Sequence, residues 1–406
     1  MGAPHRVVVT GLGVVSAIGN DLKTFWESLC AGQHGFREIE LADTSTLQFR
    51  VGAEVRDLDL ETPFDDSVRS LLDRFARLWL LAARQAVEAS GIASKDLQDA
   101  AVITGTALGG QTTQDELFVT LYRENKRRLT PFAVPRIMSS SGASQASMEL
   151  GIEGPGMTIS TACSSSNHAI GMAYWMVAHG AAPVALTGGS EAPFSLGHLK
   201  AWDAMRVMAP ERCRPFSRDR KGLVLGEGGA ALVLEELDHA RARGAHIHAE
   251  VRGFGMSSDA GHITRPSAKG AARAIAASLA DSGLNPHEVE YVNAHGTGTL
   301  LNDSTESEAL ASVFGDHAAA LLVSSTKSMH GHTLGATGAI EAVVTTLALE
   351  NGVVPPTAGY LGPDPGCPLD VVPNTAREKA IRHAISDSFA FGGLNAVLAL
   401  SRWDGA

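Results

Sequence analysis

Of the four cysteines in the chain, Cys30, Cys163, Cys213 and Cys367, one lies where a thiol can act as a nucleophile. Cys163 follows the short β-type run Thr158-Ile159-Ser160 and precedes a stretch, 164–177, that reads as one long helix with Ile170, Tyr174 and Val177 on a common face. This predicts a strand-to-helix corner with Cys163 at or just before a helix N-terminus. There, free backbone N–H groups and the helix dipole stabilise a thiolate, lower the thiol pKa and can hold an oxyanion. The competing reading is a buried structural cysteine, the ordinary fate of this residue type.

Two of the 15 histidines stand in comparable places. His295, in Val292-Asn-Ala-His-Gly-Thr-Gly-Thr299, closes a strand where side chains enter the crevice beyond a sheet's carboxyl edge. His332, in the run 325–338, follows another strand into a start of helix rich in small residues. A single histidine is more often a surface or satisfied core residue, but two at strand ends flanked by glycine are harder to set aside. A zinc site from His295, His330 and His332 is disfavoured: an i, i+2 pair does not share a helix face and no further ligand completes a known pattern. No metal is expected. Lys327 shares the His332 loop in an Ala/Gly/Ser setting, where burial would demand an anionic partner. Glu306, eleven residues after His295, is the natural candidate. Phe391 precedes two glycines in Ser388-Phe-Ala-Phe-Gly-Gly-Leu-Asn395 and by itself reads as a core aromatic before a turn.

The elements that must position these residues repeat along the chain. Short β-branched runs, glycine punctuation and Ala-rich helical stretches alternate, the rhythm of α/β layers. The helix-to-strand passage at 81–105 recurs at 274–294, with Gly91 and Gly283 as matching helix ends. Val-Thr-Gly-Leu-Gly at 9–13 echoes Val-Arg-Gly-Phe-Gly at 251–255, and Ser-Thr-Ala-Cys at 160–163 echoes Ser-Thr-Lys-Ser at 325–328. Two similar halves follow, 1–244 and 245–406, divided at Gly244 after a helix expected over 235–243. The run 185–191 reads as a buried strand running into a Gly turn, and the prolines of 355–368 mark an irregular surface loop.

Composition removes several classes of function. A chain of 406 residues has ample length for a large core, and 33 Lys+Arg against 44 Asp+Glu gives a net charge of −11, without the basic excess that nucleic-acid binding needs. With 44% hydrophobic residues and no apolar run approaching the ~18 that span a bilayer, a soluble protein without membrane association is expected. Met1 to Arg6 lead straight into Val7-Val8-Val9 with no signal-peptide pattern, so the cytoplasm is the default. The cysteines lack C-x-x-C spacing and suggest no disulfide framework.

Taken together, Val-Thr-Gly-Leu-Gly at 9–13, Thr-Ala-Cys-Ser-Ser at 161–165, His-Gly-Thr-Gly-Thr at 295–299, Thr-Lys-Ser at 326–328, Gly-His at 331–332 and Phe-Gly-Gly-Leu-Asn at 391–395 closely resemble the β-ketoacyl-acyl-carrier-protein synthases. These are condensing enzymes of the thiolase fold, and the likeness is to their elongating type II branch. It covers essentially the whole chain. The resemblance implies an α/β, five-layered αβαβα fold with two pseudo-duplicated halves, and a homodimer. It implies that Cys163 takes an acyl group from a phosphopantetheine thioester and that His295 and His332 assist decarboxylation of a malonyl thioester. It further implies that Lys327 with Glu306 organises the site, that the N–H groups of Cys163 and Phe391 form an oxyanion hole, and that the Phe391 ring is a gate. Leu108, Ala133, Thr297, Thr299 and Gly392 would contact substrate, with Leu108 at the floor of the acyl pocket and Ala133 lent by the partner subunit. Arg127, Arg128 and Arg206 would surround the pantetheine entrance and dock an acidic acyl-carrier protein. The substrates ride on that carrier's phosphopantetheine, and no other cofactor is implied.

The chain departs from the family pattern at Leu300 where Pro is usual, at Asp387 in place of a common Asn, and at Leu394 in place of Thr. The leading expectation is fatty-acyl elongation. A ketosynthase of a specialised type II polyketide or aryl-polyene pathway, with a chain-length-factor partner, is the alternative, favoured by Leu394 and Ala133. Retention of Cys163, His295 and His332 argues against a non-catalytic partner subunit. A cysteine hydrolase would leave the second histidine and Lys327 unexplained, and a degradative thiolase would show a second catalytic cysteine, whereas Cys367 lies in a Pro-rich loop.

Overall fold

A glycine pair in the first strand of each half sets how closely the layers stack. In the computed structural model, which describes residues 4–405, strand β1 (Val7–Ser16) lies under helix α1 (Arg74–Ser90). A Cβ at Gly11 or Gly13 would stand 2.1 and 2.0 Å from the helix carbonyls of Ala86 and Ala82. Strand β6 (Ala249–Ser258) lies in the same way under the later helix Ala268–Ser282, and a Cβ at Gly255 would stand 2.2 Å from the Ala274 carbonyl. Only glycine permits backbone contact of this kind.

The first half continues through β2 (Ala101–Gly105), β3 (Gly156–Ile159), helix α2 (Ser165–Ala178), β4 (Val184–Glu191) and β5 (Gly228–Glu236). The second adds α3 (Ala268–Ser282), β7 (Tyr291–Asn293), α4 (Leu300–Phe314), β8 (Leu322–Ser324), α5 (Thr337–Asn351), β9 (His383–Phe389) and β10 (Leu394–Arg402). The strands run β3-β2-β4-β5-β1 in one half and β8-β7-β9-β10-β6 in the other. These orders are identical when each half is counted from its own first strand, and so are the parallel and antiparallel pairings. The halves join edge to edge where Val7, Val8 and Val9 pair with Val251, Glu250 and Ala249.

Burial defines five layers. Alternate residues of β5 and β10, Ala230, Leu232 and Leu234 with Ala396, Leu398 and Leu400, face a central cluster built on α2 and α5. Their neighbours Ala231 and Val233 face α1, while Val397 and Ala399 face α3 and α4. Period-two side chains apolar on both faces are what a doubly covered sheet requires. Every residue from 337 to 349 in α5 is buried, so this helix is a middle layer and not an amphipathic surface helix.

Local expectations shift in four places. Gly188 and Gly189 lie inside β4, where a Cβ at Gly189 would meet the Gly105 carbonyl at 2.2 Å, and no turn begins there. Glu235 and Glu236 belong to the end of β5, and the following helix is the shorter Leu237–Ala242. Residues 355–368 are irregular, but Pro355 and Pro356 are buried beneath the surface part of that loop. Cys367 within it is also buried. Gly13→Ala should destabilise the protein by about 1–3 kcal/mol through overpacking against α1, and Gly255→Ala should do the same in the second half. Denaturant unfolding of the two variants checks this, and unchanged midpoints would show that the helices are free to move outward.

Candidate active site

Cys163 leaves β3 through a corner held by small hydroxyl groups. Ala162 sits at φ +53°, a strained value for a residue with a Cβ, and Thr161 bridges to Cys163 across it. Ser165 Oγ accepts from the Thr161 N–H at 2.9 Å and donates to the Ala162 carbonyl at 2.6 Å, while Ser164 Oγ donates to the Thr161 carbonyl at 2.9 Å. Ser164 caps α2, so Cys163 stands one residue before the cap.

His332 Nε2 lies 3.0 Å from Cys163 Sγ, and its Nδ1 lies 3.0 Å from Thr337 Oγ1 in the first turn of α5. The His332 backbone N–H donates to the Val224 carbonyl at 2.7 Å. The His295 ring stands perpendicular to that of His332, with centroids 5.5 Å apart, and its Nδ1 is buried with no protein partner. Burial, reinforced by the charge of Lys327, holds both imidazoles well below the usual histidine range, so both are neutral at physiological pH.

The thiol departs from expectation. Burial pushes Cys163 up to about 12, even though Lys327 and the backbone N–H groups of Phe391 and of Cys163 itself favour the thiolate. The helix end therefore does not leave a resting thiolate. The resting pair is a neutral thiol against a neutral imidazole, and the N–H groups directed at sulfur act on charge that develops during reaction.

Lys327 is wholly buried, and its partner is Glu341, with Nζ donating to Oε1 at 2.6 Å. This corrects the pairing with Glu306. Glu306 instead accepts the backbone N–H groups of His295 and Gly296, each at 2.7 Å, and so fixes the loop that carries the histidine. Asp303, one turn earlier in α4, accepts the N–H groups of Gly298 at 3.2 Å and Phe216 at 2.8 Å. Burial pushes Glu306 up to about 7 against the pull of these N–H bonds. Glu341 is likewise pushed up by burial and pulled back by Lys327. Glu341 is the one charged residue in the first three turns of a buried helix, a sequence signal that spacing from His295 did not reveal. Glu191 was also missed. Buried at the end of β4, it accepts from the N–H groups of Ala107 at 2.7 Å, Leu108 at 3.2 Å and Gly335 at 3.0 Å, tying the two halves together beside the site.

These residues border a cavity of about 370 Å³ lined by Cys163, His295, His332, Thr297, Thr299, Phe391 and Arg206, among others. The Phe391 ring stacks on Trp202 with centroids 6.0 Å apart. It is followed by Gly392 and Gly393 at φ +84° and +71°, and the Gly392 N–H donates to the Ile263 carbonyl at 2.7 Å. Leu108 and Leu394 pack in the apolar cluster that contains Cys163. Ala133, Arg127 and Arg128 do not line the cavity. Ala133 begins a short helix, Ala133–Ile137, and the two arginines are exposed. His330 bonds Thr326 Oγ1 and the Gly331 carbonyl and joins no ligand cluster with His295 and His332. Cys213 is buried with its Sγ 3.2 Å from the Thr297 carbonyl.

A buried thiol against an imidazole, a second imidazole beside it and amide N–H groups at the sulfur define a thiol-based acyl-transfer enzyme on a duplicated thiolase-type fold. The family model described as beta-ketoacyl synthase, N-terminal domain, matches residues 5–240, and the corresponding C-terminal domain model matches 248–361. The chain belongs to the β-ketoacyl synthase family and is a condensing acyltransferase. It is 46% identical to nodulation protein E of Rhizobium sp. (strain N33), covering 97% of this chain and 98% of that one. It is 42% identical to 3-oxoacyl-[acyl-carrier-protein] synthase 2 of Coxiella burnetii (strain RSA 493 / Nine Mile phase I), over 98% and 99%. Among solved structures, the ishigamide ketosynthase/chain length factor matches with a TM-score of 0.95 at 37% identity, over 99% of this chain and 100% of that chain. A ketosynthase complex with a type II polyketide acyl-carrier protein, AntDE:AntF, matches with a TM-score of 0.90 at 30% identity over the same shares.

Asp387 is the departure with the clearest physical consequence. Both its carboxyl oxygens are buried without a protein partner, and burial together with the neighbouring Glu306 and Glu341 holds it well above the usual carboxylate range. The folded protein keeps this proton where the unfolded chain loses it near pH ~4. Asp387 therefore costs increasing stability as pH rises above that value. Asp387→Asn should stabilise the protein by a margin absent in acid that grows by about 1.4 kcal/mol per pH unit toward neutrality. Urea unfolding of both proteins across that range checks it, and a constant margin would mean that Asp387 is ionised in the fold.

Proposed function

We propose that the chain catalyses decarboxylative Claisen condensation of an acyl group held on Cys163 with malonyl-acyl-carrier protein, and the 3.0 Å contact between Cys163 Sγ and His332 Nε2 is the observation that carries this reading. The sulfur attacks the incoming thioester as its proton passes through His332 to the departing pantetheine sulfur. The backbone N–H groups of Cys163 and Phe391 stabilise the oxyanion. When malonyl thioester replaces the first carrier, loss of carbon dioxide leaves an enolate whose oxygen accepts N–H bonds from the neutral His295 and His332. Its carbon attacks the acyl-cysteine, and the thiolate released takes up a proton. Two imidazoles held neutral suit this step, because each offers a donor without a fixed positive charge. The thioester and the departing carbon dioxide supply the driving force, so no redox or electrophilic cofactor enters. Lys327, Glu341 and Glu306 act as positioning residues.

The cavity offers an acidic carrier what the bulk charge of −11 denies it. Arg206, Lys221 and Arg265 are exposed lining residues, Arg220 is buried against Asp303 and Asp364, and none of the described lining residues is Asp or Glu. The exposed apolar residues Met205, Ile263, Leu300 and Leu301 complete the rim. We place Arg206, Lys221 and Arg265 at the docking contact. Arg127 and Arg128 belong to a second exposed basic group outside the rim of this subunit, in which Lys126 is paired with Glu124.

A dimer is supported by an asymmetry between the pseudo-equivalent sheet edges. β8 is fully buried, whereas β3 is exposed or half-buried along its length. An open edge beside apolar surface invites pairing with a second chain. That surface includes Phe118, Tyr122, Phe132, Val134, Met138, Met148 and Met157. Ala133 lies within it, where it can reach a partner's acyl pocket. A homodimer or a chain-length-factor heterodimer satisfies this face equally. The greater identity to nodulation protein E and the likeness to the ishigamide ketosynthase/chain length factor favour a specialised acyl chain over bulk fatty-acid elongation. No helix among the described residues is long and apolar enough to cross a membrane. The four free thiols suit a reducing compartment, and we assign the chain to the cytoplasm.

Incubation with acyl- and malonyl-carrier protein should release carbon dioxide and leave acyl label on Cys163 alone, as read by mass spectrometry. Cys163→Ala should abolish β-ketoacyl product, and product formed by that variant would overturn the mechanism. Reversing Arg206 and Lys221 to Glu should raise the apparent KM for carrier protein several-fold and flatten its salt dependence, while a short pantetheine thioester is turned over nearly as before. Equal losses with both substrates would place these residues in the chemistry instead of docking.

A further inference from the structure

Away from the cavity, one group of side chains has the donors and spacing of a metal site. His246 and His248 lie in the segment that joins the first half to β6, two residues apart. Ile247 between them is buried in an apolar cluster with Val8 and Leu237. This alternation turns both imidazoles to the same side of the backbone. Glu350, in the last turn of α5, meets them there. Its Oε1 lies 2.8 Å from His246 Nε2 and its Oε2 lies 2.9 Å from His248 Nδ1. The two rings are perpendicular with centroids 4.6 Å apart, and the three donor atoms all lie within 4.8 Å of one another.

We propose that His246, His248 and Glu350 bind a divalent transition ion of the Zn²⁺ type. Two imidazoles and one carboxylate suit a borderline-soft ion, whereas Mg²⁺ and Ca²⁺ prefer an all-oxygen shell. Two ligands of a tetrahedral ion with bonds of about 2.1 Å stand about 3.4 Å apart. The N···O separations, 2.8 and 2.9 Å to the two carboxylate oxygens, lie within about 0.6 Å of that edge, so small side-chain rotations would bring the three donors onto one ion. The ion would replace two N–H···O contacts, each neutral imidazole moving its proton to the other ring nitrogen, so no net proton is released. The His246 side chain is 66% exposed, which leaves an open face for water ligands. His248 is held in place, its backbone N–H donating to the Val9 carbonyl at 2.9 Å.

The position gives the site its role. Glu350 stands thirteen residues from Thr337, about 20 Å along α5 from the His332 contact. A bound ion would clamp the segment between the halves to the far end of the central helix without touching the reaction. It would act on stability by favouring the folded state over the unfolded one.

Titration of the full, untagged and chelator-treated chain with Zn²⁺ in a calorimeter tests the proposal. One saturable site per chain is expected, with a rise in Tm, and Mg²⁺ should produce neither. Affinity should fall at least ~10-fold in His246→Ala and in Glu350→Gln, since losing even an outer partner costs a metal site that much. Condensation by both variants should be unchanged, which shows that they are folded. Cys163→Ala, which removes the buried active-site thiol far from this group, should bind as the parent does. Absence of saturable binding, affinity equal to the parent's in His246→Ala and Glu350→Gln, or loss of binding in Cys163→Ala would each overturn it.

Discussion

A fully buried ammonium has to be compensated within the protein, and here it stands at the meeting point of both halves. Lys327 bonds Glu341 from the central helix, and its field reaches nearly every group that the reaction uses. It opposes protonation of His295 and His332 and favours ionisation of Cys163, Glu306 and Asp387. Removing one partner of such a pair leaves an uncompensated charge at a cost of about 3–5 kcal/mol. The same charge adds to burial in keeping the two histidines neutral, without touching them.

The duplication explains how the cluster can be assembled. Each half ends its parallel strands at the same edge, and the two edges face one another across α2 and α5. The first half brings Cys163 after β3. The second brings His295 after β7, Lys327 and His332 after β8, and Phe391 after β9. Equivalent positions thereby carry different chemistry: the corner after β3 carries Ala162 and Cys163, and the matching corner after β8 carries Lys327 and Ser328. Pseudo-symmetry supplies placement, and divergence between the halves supplies function. The open edge at β3, against the covered one at β8, is the same divergence expressed on the surface.

Burial dominates the electrostatics of the site. It raises the thiol, lowers both imidazoles and pushes Glu306, Glu341 and Asp387 upward, so that beside the Lys327–Glu341 pair the thiol and both imidazoles wait uncharged for charge to develop on substrate. The carboxylates that remain useful are those that accept backbone N–H groups, Glu191 and Glu306, and they hold loops in place. Asp387 has neither a partner nor a loop to hold, and it places a third carboxyl beside one ammonium.

The order of elements, the two halves, the corner at Cys163 and the strand-end positions of His295 and His332 were legible in the residues, because local periodicity and glycine placement act over a few positions. The elements whose lengths differ, at 185–191 and 235–243, are those in which tertiary contact overrides local preference: Gly188 and Gly189 stay in the strand because both pair with β2 on one side and β5 on the other. Partner choice was not legible. Glu306 is matched to Lys327 by its spacing from His295, yet Glu341 takes it, because α5 is threaded through the middle layer and only the packed fold brings that helix face to the strand end. The protonation of Cys163 likewise depends on burial, which no spacing encodes. Sequence determined which chemical groups are present and on which kind of element each one sits; the tertiary structure decided which of them meet and in what charge state, because contact and desolvation belong to the folded chain.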